Sequence, residues 1–376
     1  MEGLEVRPLR EAEVPAFLDL LAAAFADKGV ERAFFEAHIT HDPHWDVNGV
    51  RVCADTATGA LVSCVRVYRR MMRLLDGEGH PMEVQVGAVG DVATAKSHRR
   101  RGIAAALLTD AHRYIDEAGC VLAVLHTGNR GLADYYATQG YTAVPVLSLL
   151  FHVSAEAVAA ATAAAPAALS TEVVHDVSED PATLAQIKEV HRRGVDHLTG
   201  CFSRTDQYWK RWITHAARPG AGVTVHVVRD GDGTIVGYGV IRLGGGPVFG
   251  GIVQVTEFFT VAADAERKQA CFLKLLGDVM AACEEAPTRV RVSSASVDPV
   301  WMAGVAAAPP PAAVVAAGPV KEGTTLMRAG AGPHGSVIWA DHGQMFRPGP
   351  RFGGADVGVA CGDLFARYTF LALDAF

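Results

Sequence analysis

The chain has 376 residues, 20% charged and 50% hydrophobic, with 34 Lys+Arg against 41 Asp+Glu and a formal net charge of −7. At a typical ~150 residues per domain that length holds two to three cores, and the composition excludes a disordered or strongly basic chain. An acidic balance argues against nucleic acid as the partner. From the N-terminus, Val14, Phe17, Leu18, Leu21 and Phe25 fall on one face and predict a helix over about 10–25, with a second over about 30–39. Strands over 50–54 and 61–74 form a meander that continues into 83–94. A helix over about 101–118 places Ile103, Leu107, Ala111, Tyr114 and Ile115 on one side, and Gly119 is placed to end it in the left-handed conformation. The run from Val121 to His126 is short and almost wholly apolar, as expected of a strand buried on both faces. After Asn129 a further helix runs to about Thr138, ended by Gly140.

The second half repeats landmarks of the first. Phe34, Phe35 and Ile39 precede Tyr208, Trp209 and Ile213 by a constant 174 residues. The strand, Asp/Gly turn and strand over 50–62 match those over 224–236, and Arg99 and Arg267 each precede a long apolar-periodic helix. So long a period fits two copies of one domain better than a solenoid. The expected organisation is a first copy over 1–154, an Ala-rich linker or short helix over 155–170, a second copy over 171–330 and a tail over 331–376. No segment of ~18 residues is apolar and proline-free enough to span a bilayer, and the start lacks a basic and apolar leader, so no membrane and a cytoplasmic location are expected. The seven cysteines are scattered without a Cys-x-x-Cys pair, which supports neither a disulfide framework nor a zinc knuckle.

The chemistry-bearing segment is the strand end Val92-Ala93-Thr94 leading through Arg99-Arg100-Arg101-Gly102 into a helix beginning Ile103-Ala104-Ala105. Such a turn offers a diphosphate free N–H groups, a positive helix end and small residues that let backbone approach. No Gly-x-Gly-x-x-Gly follows a first strand and there is no Gly-x-x-x-x-Gly-Lys, so dinucleotide and nucleoside triphosphate readings compete poorly. Taken with Asn129-Arg-Gly-Leu-Ala-Asp-Tyr-Tyr136-Ala-Thr-Gln-Gly-Tyr141, about thirty residues on, the segment resembles the GCN5-related N-acetyltransferase (GNAT) superfamily over roughly residues 1–150. The tandem plan is similar to that of the enhanced-intracellular-survival type.

The resemblance implies an α/β (α+β) acyl-CoA N-acyltransferase fold, a mixed, mostly antiparallel sheet flanked by helices, in two tandem copies. It implies acetyl-CoA as acyl donor, with pantetheine in a slot between strands 86–94 and 121–126. Backbone groups of Val92, Ala93 and Thr94 would pair with the pantetheine, residues Arg99, Arg100, Arg101, Gly102, Ile103, Ala104 and Ala105 would hold the diphosphate, and Asn129 would touch the cofactor arm. Tyr136, seven residues after Asn129, is implied as the acid that protonates the departing thiolate, while Tyr135 packs on the core. The base stays open among Asp91, Glu83, His126 and the Phe376 terminal carboxylate. The acceptor is a small-molecule or protein amine reached by direct attack, and the acidic charge leans toward a cationic one. Readings left as alternatives are a non-catalytic acyl-CoA-binding regulatory module and a longer-chain acyltransferase. Copy two has Arg267-Lys-Gln-Ala270-Cys-Phe272 at the turn, where Ala270 narrows it and Phe272 would occupy the phosphate position. It is expected to be degenerate and to shape the acceptor pocket, with Glu257 available to a cation.

Three further features carry plainer readings. His38, His41 and His44 recur every three residues, but Pro43 breaks any helix that would align them on a metal. The glycine-rich stretch 244–251 lacks a lysine and reads as a hairpin turn. The run Arg66–Arg73 alternates with apolar residues and reads as the solvated face of a strand.

Overall fold

The computed structural model describes residues 2–76, 78–196, 198–216, 222–243, 252–283, 287, 289–293, 299–302, 305–306, 326–331 and 337–349. In the first half, β1 (Leu4–Pro8) leads to α1 (Val14–Phe25) and α2 (Arg32–His41), then to β2 (Val50–Asp55), β3 (Leu61–Leu75) and β4 (Pro81–Thr94). Next come α3 (Ile103–Glu117), β5 (Leu122–His126), α4 (Arg130–Thr138) and β6 (Thr142–His152). Helix α3 buries Ile103, Leu107, Leu108, Ala111 and Ile115, the stripe its periodicity predicts. It approaches β4 so closely that a Cβ on Gly87 would lie 2.5 Å from the Ile115 side chain. The apolar run of β5 is buried from Leu122 to Leu125.

The segment 155–170 opens with α5 (Ala155–Ala164), capped by Ser154. Val158 is buried in the second core and Thr162 bonds the Leu273 carbonyl, so this stretch packs rather than linking freely. The second half continues with β7 (Ser170–Val174), α6 (Pro181–Gly194), the short β8 (Cys201–Phe202) and a wide π-type turn at Tyr208–Ile213. It goes on with β9 (Val223–Arg229), β10 (Ile235–Leu243), β11 (Ile252–Thr260), α7 (Ala265–Ala281) and β12 (Arg289–Ser293), then β13 (Leu326–Ala331) and β14 (Val337–Pro348). Strand order is β1-β2-β3-β4-β5-β14-β6-β12-β11-β10-β9-β7. Read from its two ends the order is symmetric: β4·β5 and β11·β12 are parallel pairs and the neighbouring pairs are antiparallel.

The symmetry axis falls between β14 and β6, and those two strands are exchanged between halves. β14, from the stretch expected to be a tail, pairs with β5 on one side and β6 on the other, while β6 pairs with β12. Met345 joins the core under α3 and Phe346 the core on the opposite face, beside Phe202 of the second half. No helix among the described residues is long and apolar enough to cross a membrane.

Candidate active site

The site begins where β4 leaves its partners. β4 pairs with β5 only over Val86, Gly87 and Ala88, and beyond Ala88 the two strands splay. On its other side the β3 register slips, Cys64 facing Ala93 and Arg66 facing Gly90, so that Asp91 and Val92 oppose a single residue. Asp91, with φ 48°, is the bulged residue. The edge of β4 from Val89 to Thr94 is thereby freed on the β5 side. A cleft of about 570 Å³ opens there, and it is lined by Val92, Ala93, Thr94, Arg99, Arg100, Gly102, Ile103, Ala104, Ala105 and Tyr136 among others.

At one end of the cleft stands the start of α3. Gly102 is its N-cap with φ 76° and no side-chain cap, so the first-turn N–H groups point out of the helix unsatisfied by a side chain. A Cβ at Gly102 would meet nothing within 4 Å, which leaves the approach open. Arg100 also adopts the left-handed region, φ 62°, and Arg99 Nε donates to the Thr94 carbonyl at 3.1 Å, folding the turn over the strand end. Arg101 is exposed and lies outside the lining. Asn129 is also outside it: its Oδ1 accepts from the Leu132 N–H and caps α4. The sequence reading missed part of the lining, Ala24, Phe25, Asp27 and Lys28 at the end of α1.

Helix α4 presents Leu132, Tyr135 and Tyr136 to the cleft, positions i, i+3 and i+4 on one face. Tyr136 is 7% exposed, and burial pushes its phenol up to about 12, so it is held protonated at neutral pH. Tyr135 lines the same cleft instead of being confined to the core, and its buried hydroxyl has no hydrogen-bond partner. Behind Tyr136 the ring of Tyr141 meets it edge-on at 5.9 Å, and Tyr141 shares a 3.0 Å hydrogen bond with His112 Nε2.

Beneath the bulge lies a buried ionic cluster that the sequence reading placed in solvent. Arg66 and Arg70 are 2% and 4% exposed. Arg66 donates to Asp42 Oδ2 at 2.8 Å, Arg70 reaches Asp42 Oδ1 at 3.1 Å, and Arg66 stacks 3.8 Å over the Tyr68 ring. Burial opposes ionisation of Asp42, but Arg70 and Arg66 outweigh it and hold the carboxyl below the usual range. The solvated-face reading therefore fails at these two arginines, whose charge is met inside the protein. Asp91 accepts from the Tyr68 hydroxyl at 2.8 Å and lies 3.7 Å from Arg66 Nη1. Burial nevertheless raises its carboxyl above the ordinary value.

The other candidate bases are scattered. Glu83 sits near the far end of β4, where it accepts from Ser203 at 2.6 Å. His126 is exposed at the end of β5. Phe376 lies outside the described residues, as does the glycine-rich stretch 244–251. Two of the spaced histidines meet the second half: His38 packs 5.1 Å from Trp212, and His41 stacks on His215 at 4.2 Å.

The second half differs at the equivalent positions. Helix α7 starts earlier in the repeat than α3, so Arg267 lies inside it and no turn precedes Ala270. Asp264 caps α7, accepting from the Arg267 N–H at 2.7 Å, and thus places a carboxylate where α3 is bare. The Arg267 guanidinium pairs with Asp230. Phe272 points into the core, not the phosphate position, meeting Phe258 at 5.3 Å and Trp301 at 5.7 Å, in the splay between β11 and β12. Glu257, fully buried, is bonded by both Arg204 guanidinium nitrogens at 3.0 and 2.9 Å and by the Tyr238 hydroxyl. Its cation is internal, which overturns the expectation that it serves an external one.

Residues 5–144 match the acetyltransferase (GNAT) domain family. No curated protein matches the sequence. Among solved structures, a GCN5-related N-acetyltransferase from Anabaena variabilis is similar at 14% identity and TM-score 0.58, over 92% of this chain and 72% of that one. Eis1 from Mycobacterium abscessus is similar at 17% identity and TM-score 0.53, over 92% and 73%. An N-myristoyltransferase from Saccharomyces cerevisiae, solved with myristoyl-CoA, is similar at 12% identity and TM-score 0.51, over 93% and 84%. These likenesses extend the fold over nearly the whole chain. The match to the acetyltransferase (GNAT) domain family falls on the half of the chain that carries the bulged β4 and the bare start of α3.

Proposed function

We propose that the protein is an N-acetyltransferase that moves the acetyl group of acetyl-CoA to a primary amine by direct attack in a ternary complex. The observation that carries this reading is the cleft itself, in which an uncapped helix start flanked by unpaired cations opens onto a free strand edge and a buried phenol. The N–H groups at the start of α3, with Arg99 and Arg100, hold the diphosphate. The free edge of β4 from Val92 to Thr94 pairs with the pantetheine amides, and a β4 backbone N–H at the bulge donates to the thioester oxygen as negative charge develops there. Asp91, the one candidate base at the bulge, takes the proton of the attacking amine, and its raised affinity for protons suits that role. Tyr136 gives its proton to sulfur as the C–S bond breaks, so that the products are the amide and the free thiol.

A short donor fits best. Below the bulge Ala88, Val124, Tyr68 and Phe346 are packed into one core, leaving little depth for a long acyl chain. The second half, with its capped helix and filled splay, is structural and contributes to the acceptor side.

Calorimetry with CoA, followed by thiol-release assays over a panel of amines with acetyl to myristoyl donors, tests the proposal. One equivalent of CoA bound per chain and turnover that falls with acyl length are expected. Binding without turnover toward any amine would favour a regulatory acyl-CoA-binding module, and no binding would sink the reading.

A further inference from the structure

The cleft carries more positive charge than a diphosphate at the start of α3 requires. Arg99 and Arg100 stand beside that helix end, but Lys28 comes from a different element, the turn that follows α1. Its Nζ lies 4.9 Å from the centroid of the Phe25 ring, a cation–π contact that keeps the ammonium at the cleft. The adjacent acid does not neutralise it: Asp27 is paired with Lys96 Nζ at 3.0 Å, which also ties the end of α1 to the turn after β4. Among the described residues Lys28, Arg99 and Arg100 have no carboxylate partner, whereas most other arginines of this half do.

The two sets of cationic groups differ in chemistry. A row of N–H groups and forked guanidinium groups matches the spread charge of a diphosphate, while a lysine ammonium is a compact point charge suited to a single monoester phosphate. An acyl-CoA offers both, the diphosphate and, one ribose away, a 3′-phosphate. We propose that Lys28 binds the ribose 3′-phosphate of the coenzyme and makes the cleft selective for CoA over 3′-dephospho-CoA. This inference rests on the acyl-CoA reading above.

Calorimetry at low salt on the full chain, with CoA and with 3′-dephospho-CoA, tests it in the parent protein, Lys28→Ala and Arg100→Ala. The parent should bind CoA about fivefold more tightly than the dephospho form, the size of an exposed charge pair. Lys28→Ala should lose that factor for CoA and nothing for 3′-dephospho-CoA, while Arg100→Ala should weaken both alike. Equal weakening of both ligands by Lys28→Ala, or none of either, overturns the assignment of Lys28. Absence of binding of either ligand to the parent protein instead overturns the acyl-CoA reading, and the inference with it.

Discussion

Tyr136 and Tyr135 are neighbours with different surroundings, and the proposed acid is the more buried of the two. Tyr136 is the more deeply buried, with its phenol pushed up to about 12, so it stays protonated through any working pH. Tyr136→Phe should lower kcat by about 10²- to 10⁴-fold, the usual range for a lost general acid, with CoA affinity unchanged in calorimetry. Tyr135→Phe should leave kcat near the parent value. With Asp91 as the proposed base, the acid limb of the pH–rate profile should be its own. Burial raises its carboxyl, so the rate should fall as pH drops through that raised value, and Asp91→Asn should remove both the limb and most of the activity. Asp42 makes the matching stability argument. With its carboxyl held below the ordinary 3.8, its contribution is complete at neutral pH and is lost as pH falls through the native value. Asp42→Asn leaves Arg66 and Arg70 buried without their carboxylate and should cost about 3–5 kcal/mol in urea unfolding. At this scale the turn at Arg99–Gly102 and the helix from Arg130 to Thr138 that carries Tyr136 were legible because they are local. Arg66 and Arg70 were not. Alternation along β3 shows that they share a face, and only the fold brings Asp42, 24 residues before Arg66, to meet them.

Helices α3 and α7 occupy equivalent places, and their first turns have opposite fates. In α7 the Asp264 carboxylate caps the first turn, which at α3 has no side-chain cap. Asp264→Ala should therefore cost about 1 kcal/mol, as loss of an N-cap does, measurable as a shift in the urea midpoint. It should create no second coenzyme site, because Trp301 and Phe272 still fill the splay beside β11; calorimetry should continue to show a single equivalent. A second equivalent in the variant would mean that the cap alone had closed that half. The sequence also sets the two copies apart, but on a comparison that the helix boundaries do not support. Comparing Gly102 with Ala270 assumes that both precede a helix, whereas α7 has already run for five residues by Ala270. Periodicity locates a helix well and its first residue poorly, since the flanking polar residues satisfy either phase. The end of α1 was missed for a related reason: Phe25 and Lys28 are ordinary helix-end residues until packing brings them to the same cleft as the start of α3.

At the scale of the whole molecule, the exchange of β14 and β6 makes the two halves one folding unit. The strand filling the gap between β5 and β6 comes from more than 180 residues further along the chain, and β6 in turn supplies the neighbour of β12. No periodicity in sequence could show this, because an alternating strand near the C-terminus looks the same whether it lies at an edge or at the centre of a sheet. A first half cut at residue 154 would lack the strand between β5 and β6, exposing two long unpaired edges and the cores that Met345 and Phe346 complete. Residues 1–154 expressed alone should therefore give aggregated or unfolded protein without coenzyme binding, although they contain every residue proposed for the cofactor and the acid. Co-expression with residues 155–376 should restore a soluble complex that binds CoA, since β14 then has its place to enter. Urea unfolding of the intact chain should give one transition seen alike by tryptophan fluorescence, which reports mainly on the second half, and by far-ultraviolet circular dichroism. A stable, coenzyme-binding 1–154 fragment, or two separated transitions, would show that the exchanged strands do not couple the halves.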